Sequence, residues 1–378
     1  MNFSKNNTLA IKGIAILFML CRHLLIYNKQ PVNHKLNMEL FGSTDLYLLF
    51  GLSTQICVAM FMFLGGIGLY ISIQNNKKII DLIFSLYKKL WSVFIIYIPI
   101  GFLLYHDANR IWSDDPVSCS VFENFSLIEF FLAFLGLQNT YNKEWWFFKT
   151  YICCLLIGCL FIYATKKIKN VSFHLVVIVM FYALTHFLFP AIAETENYAW
   201  LTNNFIYFNF FMIQVTASCF LLGIVFAKFQ LIDKMSALWD KLFKNKLVST
   251  VFSFVFILTT LILRFRVFGE EGDLLLISFM ILFCLKFATG NRIIEKTLIF
   301  FGKYSASMWL IHTFYCYYFY HTAMLVYLTR NVVISYTTLL LLTTASAWGI
   351  SSLQRLLNSF RLALIMPCGE VLNSNRSS

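Results

Sequence analysis

Long apolar stretches recur from one end of this chain to the other, and they dictate the kind of fold open to it. A helix that crosses a bilayer needs about 20 consecutive apolar residues. Ten stretches of the 378-residue sequence meet that demand, near 8–27, 51–73, 89–105, 146–165, 171–190, 207–227, 247–265, 272–289, 303–326 and 334–354. An eleventh, Ser126 to Gln138, is apolar but too short to cross, and reads as a re-entrant or interfacial piece. Only 13% of the residues are charged and mean hydropathy is +0.72. A soluble domain carries about 25% charged residues, so the chain lacks the polar surface to clothe one. The expected fold is all-α: a polytopic transmembrane helix bundle of ten spans plus the one short segment, with residues 1–378 as a single domain.

The formal charge of +12 is a membrane signature rather than a nucleic-acid one. With 126–138 not crossing, 20 basic residues fall on one side, among them Lys77, Lys78, Lys88, Lys89, Lys166, Lys167, Lys169, Lys241, Lys244 and Lys246. Seven fall on the other: Lys29, Lys35, Arg110, Lys143, Arg264, Arg266 and Arg330. The second side carries the acids Asp107, Asp114, Asp115, Glu194, Glu196, Glu270 and Glu271. The positive-inside rule then puts both termini in the cytoplasm. The run Leu9–Leu20 is followed by no small-x-small cleavage site, so it reads as an uncleaved first span. Pro99 and Pro190 sit where they would kink or end a span. Most of the 10 cysteines lie in apolar runs, and no Cys/His spacing suits a metal. No internal repeat of the transporter kind is visible.

Ionisable groups inside a span are costly and mark candidate sites. The first span carries Lys12, Arg22 and His23. At 100° per residue, Lys12 and His23 fall about 20° apart on one helix face, with about 16 Å of rise between them. The bland readings are that Lys12 and Arg22 snorkel to opposite headgroup layers and that His23 is a satisfied bundle residue. Trp145 and Trp146 open the fourth span as an aromatic belt would, and Lys149 shares their face. In the ninth span Tyr304 precedes Ser305, which shares a face with Met308 and His312; helix–helix hydrogen bonding is the bland reading there. Gly65, Gly66 and Gly68 permit close backbone approach, chiefly by another helix. His174, His186 and His321 are isolated and carry no assigned role.

Three of these patches, in this order, resemble the acyltransferase 3 family of integral membrane acyltransferases. Lys12 followed by His23 is similar to that family's basic residue, ten intervening residues, then histidine. Phe61-Met62-Phe63-Leu64-Gly65-Gly66 is similar to its Phe-x-Phe-x-Ser-Gly segment. Gly302-Lys303-Tyr304-Ser305 through Leu310-Ile311-His312 is similar to its Gly-Lys-x-Ser…Leu-Ile-His segment. Trp145-Trp146-Phe147 resembles the Trp-Phe element of members that O-acetylate surface polysaccharides. Two positions depart: the usual arginine is Lys12, which keeps the charge without the bidentate fork, and the serine of the second patch is Gly65.

The resemblance implies a bacterial plasma-membrane enzyme that moves an acyl group, acetyl in the first instance, from cytoplasmic acyl-CoA to a hydroxyl of an extracytoplasmic polysaccharide or other glycan. Acetyl-CoA would be a substrate rather than a resident cofactor, and no metal is implied. Lys12 would hold CoA phosphates. His23 would act as general base or carry the acyl group, a choice left open; imidazole suits both because its pKa lies near neutrality. Arg22 and Lys149 would stabilise the oxyanion, Trp145 and Trp146 would stack on sugar, and Tyr304, Ser305 and His312 would bind or orient substrate. The competing expectation is a transporter or flippase for a lipid-linked sugar or small anion; a structural membrane subunit comes third. The acceptor sugar, the chain length and the oligomeric state stay open at this level.

Overall fold

The computed structural model describes residues 3–37, 44–107, 110–188 and 205–365. All named elements are helical; the only bridge between extended segments among the described residues pairs Pro31 with Ser113. In chain order the helices are α1 (Lys5–Leu24), α2 (Thr44–Ser53), α3 (Cys57–Gln74), α4 (Ile79–Leu104), α5 (Pro116–Ser120), α6 (Leu127–Phe134), α7 (Trp146–Ala164), α8 (Val171–Ala183), α9 (Phe205–Lys228), α10 (Leu231–Leu242), α11 (Lys246–Leu263), α12 (Asp273–Gly290), α13 (Arg292–Thr313), α14 (Tyr320–Tyr327) and α15 (Val332–Ile365). Several starts are set by a polar residue whose side chain accepts from the first free amides: Ser4 for α1, Asn170 for α8, Asn245 for α11 and Asn291 for α13.

The helix α1 lies at the centre, packed against α2, α3, α12, α13 and α15. Its approach to α13 is a backbone contact. A Cβ on Gly13 would sit 2.1 Å from the carbonyl oxygen of Leu298, and one on Gly302 would sit 1.8 Å from that of Leu9. The glycine patch of α3 works the same way against α9, where a Cβ on Gly66 would meet the Phe220 carbonyl at 1.9 Å. Helix packing is therefore what these glycines serve. The outward faces are lined by apolar side chains such as Ile95, Leu103, Leu160, Leu247, Val251, Ile262 and Leu275, all exposed. Such a surface requires hydrocarbon around it.

The count of spans is lower than the apolar stretches suggest. Among the described residues six helices are long and apolar enough to cross: Lys5–Leu24, Leu49–Gln74, Lys143–Ala164, Lys246–Phe268, Asp273–Gly290 and Val332–Leu356. A seventh arises if Thr216–Lys228 and Leu231–Leu242 count as one span broken by a 73° bend; Gln230, at φ 54°, turns the chain there. The ten-span expectation is thus corrected, and the reasons are local. After Lys88 and Lys89, α4 has only Leu90–Leu104 free of charge, although it continues through Pro99. The apolar helix Val171–Phe187 is short for a span. The expected ninth span is interrupted: α13 ends at Thr313, a π-turn covers Phe314–Tyr318, and Phe319 is extended before α14. The short segment from Ser126 forms α6, with the α4 residue Trp91 stacked on Phe134 at 5.2 Å. Pro190, Glu194, Glu196 and Arg376 lie outside the described residues.

Because the obstacle at Gly302 is main chain, Gly302→Ala is expected to destabilise the protein by about 1–3 kcal/mol or more. Gly349→Ala, exposed within α15 where an added Cβ meets nothing within 4 Å, should leave stability unchanged or raise it by up to about 1 kcal/mol. Thermal unfolding of the two variants in detergent checks the contrast; equal Tm values would refute the close contact.

Candidate functional site

His23 lies one residue before the end of α1 and is mostly buried. Two neighbours define its ring. The Tyr317 hydroxyl, from the π-turn after α13, donates to the main-chain oxygen of His23 at 2.5 Å. It also lies 3.1 Å from His23 Nδ1. A phenol has a single proton, and the carbonyl takes it, so Nδ1 is the donor in the second contact. That leaves the lone pair of neutral His23 on Nε2. Nε2 faces Glu144 Oε2 at 3.9 Å, where a carboxylate stabilises an imidazolium once Nε2 takes a proton.

Glu144 is held in turn. Lys29 donates to its Oε1 at 3.2 Å, and its amide donates to Asn142 Oδ1 at 3.1 Å. The segment 142–145 is stitched to the end of α13 and the turn beyond it. Asn142 Nδ2 donates to Thr313 Oγ1 at 2.7 Å, the Lys143 amide donates to the Tyr318 hydroxyl at 3.0 Å, and Trp145 Nε1 donates to the Leu310 carbonyl at 3.0 Å. His312 is fully buried, with its ring edge-on to His23 at 4.8 Å. Its Nδ1 lies 2.7 Å from the Trp309 carbonyl and so donates, which leaves Nε2 without a hydrogen-bond partner among the described residues.

Two cavities lie along the α1 face and share part of their walls. The first, of about 180 Å³, contains His23 and is edged by Arg22, Gln55, Glu144 and Trp146. The second, of about 120 Å³, contains Lys12 and is edged by Lys89, Phe61, Tyr151 and Ser305. Met19, Phe147 and Trp309 line both. Neither Lys12 nor Lys89 makes an ion pair among the described residues. Lys12 and the exposed Lys89 thus line one mainly apolar cavity without a carboxylate, so an anionic ligand there would meet two cations.

The structure brings Lys12, Arg22, His23, Trp146 and Ser305 to these two cavities and sets His312 against His23. It takes three candidates elsewhere. Trp145 is buried with its indole N–H committed to α13, outside the linings of both cavities. Tyr304 is buried against Phe300, with ring centroids 5.2 Å apart. Lys149 lines a separate hollow with Leu132, Gln138 and Cys153, its Nζ 3.4 Å from the Leu137 carbonyl. Glu144, Lys29, Tyr317 and Lys89 were not singled out from sequence. Glu144 stood inside the Trp-rich run that reads as an interface, Lys29 and Lys89 among the loop cations, and Tyr317 in an apolar stretch. Tyr151 bears on the departure at Gly65: a Cβ there would lie 2.7 Å from the Tyr151 hydroxyl, so the phenol fills the space a serine side chain would need. Among the described residues no group of three or more His, Cys, Asp or Glu side chains is placed to hold a metal ion.

A polytopic helical membrane protein with a histidine facing a carboxylate in one cavity and two cations lining a second cavity along the same helix face has the parts of a group-transfer enzyme. The family model described as an acyltransferase domain matches residues 10–352, and the chain belongs to that family, acyltransferase 3. No curated protein and no solved structure gives a match. The chain is a multi-pass membrane acyltransferase.

Glu144→Gln removes the charge that opposes Nε2 and keeps the shape. It is expected to lower kcat for acyl transfer by about 10²-fold or more, with KM for the donor little changed. Tyr317→Phe should cost about tenfold, the equivalent of one hydrogen bond. Steady-state transfer rates check both; an unaltered Glu144→Gln enzyme would exclude the carboxylate from the chemistry.

Proposed function

We propose that the protein transfers an acyl group, acetyl in the first instance, from cytoplasmic acyl-CoA to a hydroxyl of an extracytoplasmic polysaccharide or other glycan. One observation carries this reading: the Lys12 cavity and the His23 cavity share three side chains along one face of α1. An acyl-CoA is anionic at one end and reactive at the end of an extended arm. Lys12 and Lys89 suit the phosphates, the aromatic walls suit the arm, and His23 suits the thioester end. The acidic loops Asp107, Asp114 and Asp115 and the basic loops Lys77, Lys78, Lys166 and Lys167 support an orientation with the His23 end outside. In this reading residues 1–378 form one catalytic unit in the cell membrane.

The chemistry follows from the tautomer. His23 Nε2 accepts the proton of the acceptor hydroxyl as its oxygen attacks the thioester carbonyl. Glu144 stabilises the imidazolium so formed. Arg22, on the edge of the same cavity, stabilises the tetrahedral oxyanion. Collapse breaks the C–S bond, and the proton held on Nε2 passes to the CoA sulfur. Tyr317 keeps the ring in the productive tautomer throughout, as a second partner commonly does for a catalytic histidine. Trp146, which lines the same cavity, offers a flat face to a sugar ring.

His23→Ala is expected to abolish glycan O-acylation while leaving the amount of membrane-inserted protein unchanged. NMR of surface glycans from cells expressing either form scores the O-acetyl signals; their persistence in the variant would sink the mechanism. Lys12→Ala and Lys89→Ala should each raise KM for acyl-CoA by about tenfold, the scale of one charge-assisted hydrogen bond, and leave kcat nearly intact. Initial rates against donor concentration provide that measurement.

A further inference from the structure

We infer that Met19 is a side-chain gate between the two cavities, and that this gate selects donors with a short acyl chain. The inference rests on the acyl-CoA reading above and adds to it the residue that sets donor specificity. Met19 lies seven residues after Lys12 and four before His23, on the face they share. It is buried and lines both cavities, as do Phe147 and Trp309. A group passing along the α1 face from the Lys12 side to His23 passes these three side chains, which both linings share.

They are not equally mobile. Phe147 and Trp309 pack edge to face, with ring centroids 5.3 Å apart. Phe147 is further boxed in by the rings of Trp146 and Tyr151, at 5.7 and 5.8 Å. Close-packed rings turn only at the expense of their neighbours. Methionine is unbranched, with three rotatable bonds and a soft sulfur, and re-packs easily. Met19 is thus the moving part, and the two rings are fixed posts.

The space beyond the gate favours a small acyl group. Arg22, His23, Gln55 and Glu144 edge a cavity of about 180 Å³, whereas the Lys12 side is mainly aromatic and aliphatic. A long alkyl chain gains by staying on the apolar side and would have to strip water from charged groups to cross. An acetyl group has almost nothing to lose.

Inverted membrane vesicles carrying the full-length protein, with the cell's own glycans as acceptor, test the gate. Label transferred to glycan is measured from acetyl-, butyryl- and hexanoyl-CoA. The wild type should favour acetyl over hexanoyl by about tenfold or more, the discrimination a few methylenes give. Met19→Ala should bring the two rates within about threefold by raising the hexanoyl rate. Met19→Val, a smaller truncation, should shift the ratio part of the way and serves if the alanine variant fails to insert. A wild type indifferent to chain length, or an inserted variant with the wild-type ratio, would overturn the gate. A wild type that labels glycan from none of the three donors would overturn the acyl-CoA reading itself.

Discussion

The contact between α1 and α13 is made of main chain, and the site depends on it. With Gly13 against Leu298 and Gly302 against Leu9, the two helices approach more closely than side chains would allow. Ser305, Trp309 and His312 of α13 are thereby set beside the Lys12–Met19–His23 face of α1. In hydrocarbon no hydrophobic drive pulls helices together, so close van der Waals packing of this kind has to do it. The shared cavity walls, the edge-on histidine pair and the Tyr317 contact all follow from that spacing.

A second constraint fixes the open end of the site. The π-turn Phe314–Tyr318 lets the chain leave α13 with Tyr317 and Tyr318 pointing to different partners, one to His23 and one to the amide of Lys143. Wide turns of this type are often kept at functional sites. Asn142, Trp145 and Lys29 complete the frame. The carboxylate of Glu144 is thus positioned from the loop after α1, the start of α7 and the end of α13 together, which is why its approach to Nε2 does not rest on a single flexible side chain.

How far this was legible from sequence differs by element. The α1 stripe and the α13 stripe were visible, because a helix of known pitch brings residues eleven or seven apart to one face whatever surrounds it. The glycine positions were visible as places of close approach, though not which carbonyl each would meet. The number of spans was not. Apolar length alone made 303–326 a continuous crossing, yet the helix gives way at Phe314–Phe319, and the charges at Lys88 and Lys89 shorten the apolar part of α4. Lys149 and Trp145 shared a face on paper, but helices on either side claimed both, one for a hydrogen bond into α13 and one for a separate hollow.

By itself the sequence determined that this chain lives in a bilayer, that it belongs with membrane acyltransferases, and that Lys12 and His23 lie along one line. The first rests on composition, the second on the resemblance of three ordered motifs to that family, and the third on distances along a single helix. Only the tertiary structure decided that Glu144 faces His23, that Tyr317 contacts its Nδ1, that Lys89 joins Lys12 in one cavity, and that Met19, already on their shared face by periodicity, lines both cavities. The His23–Tyr317 contact joins residues 294 positions apart, and the Lys29–Glu144 contact that holds the carboxylate joins residues 115 positions apart. Helical periodicity says which way a side chain faces; only packing says what it faces.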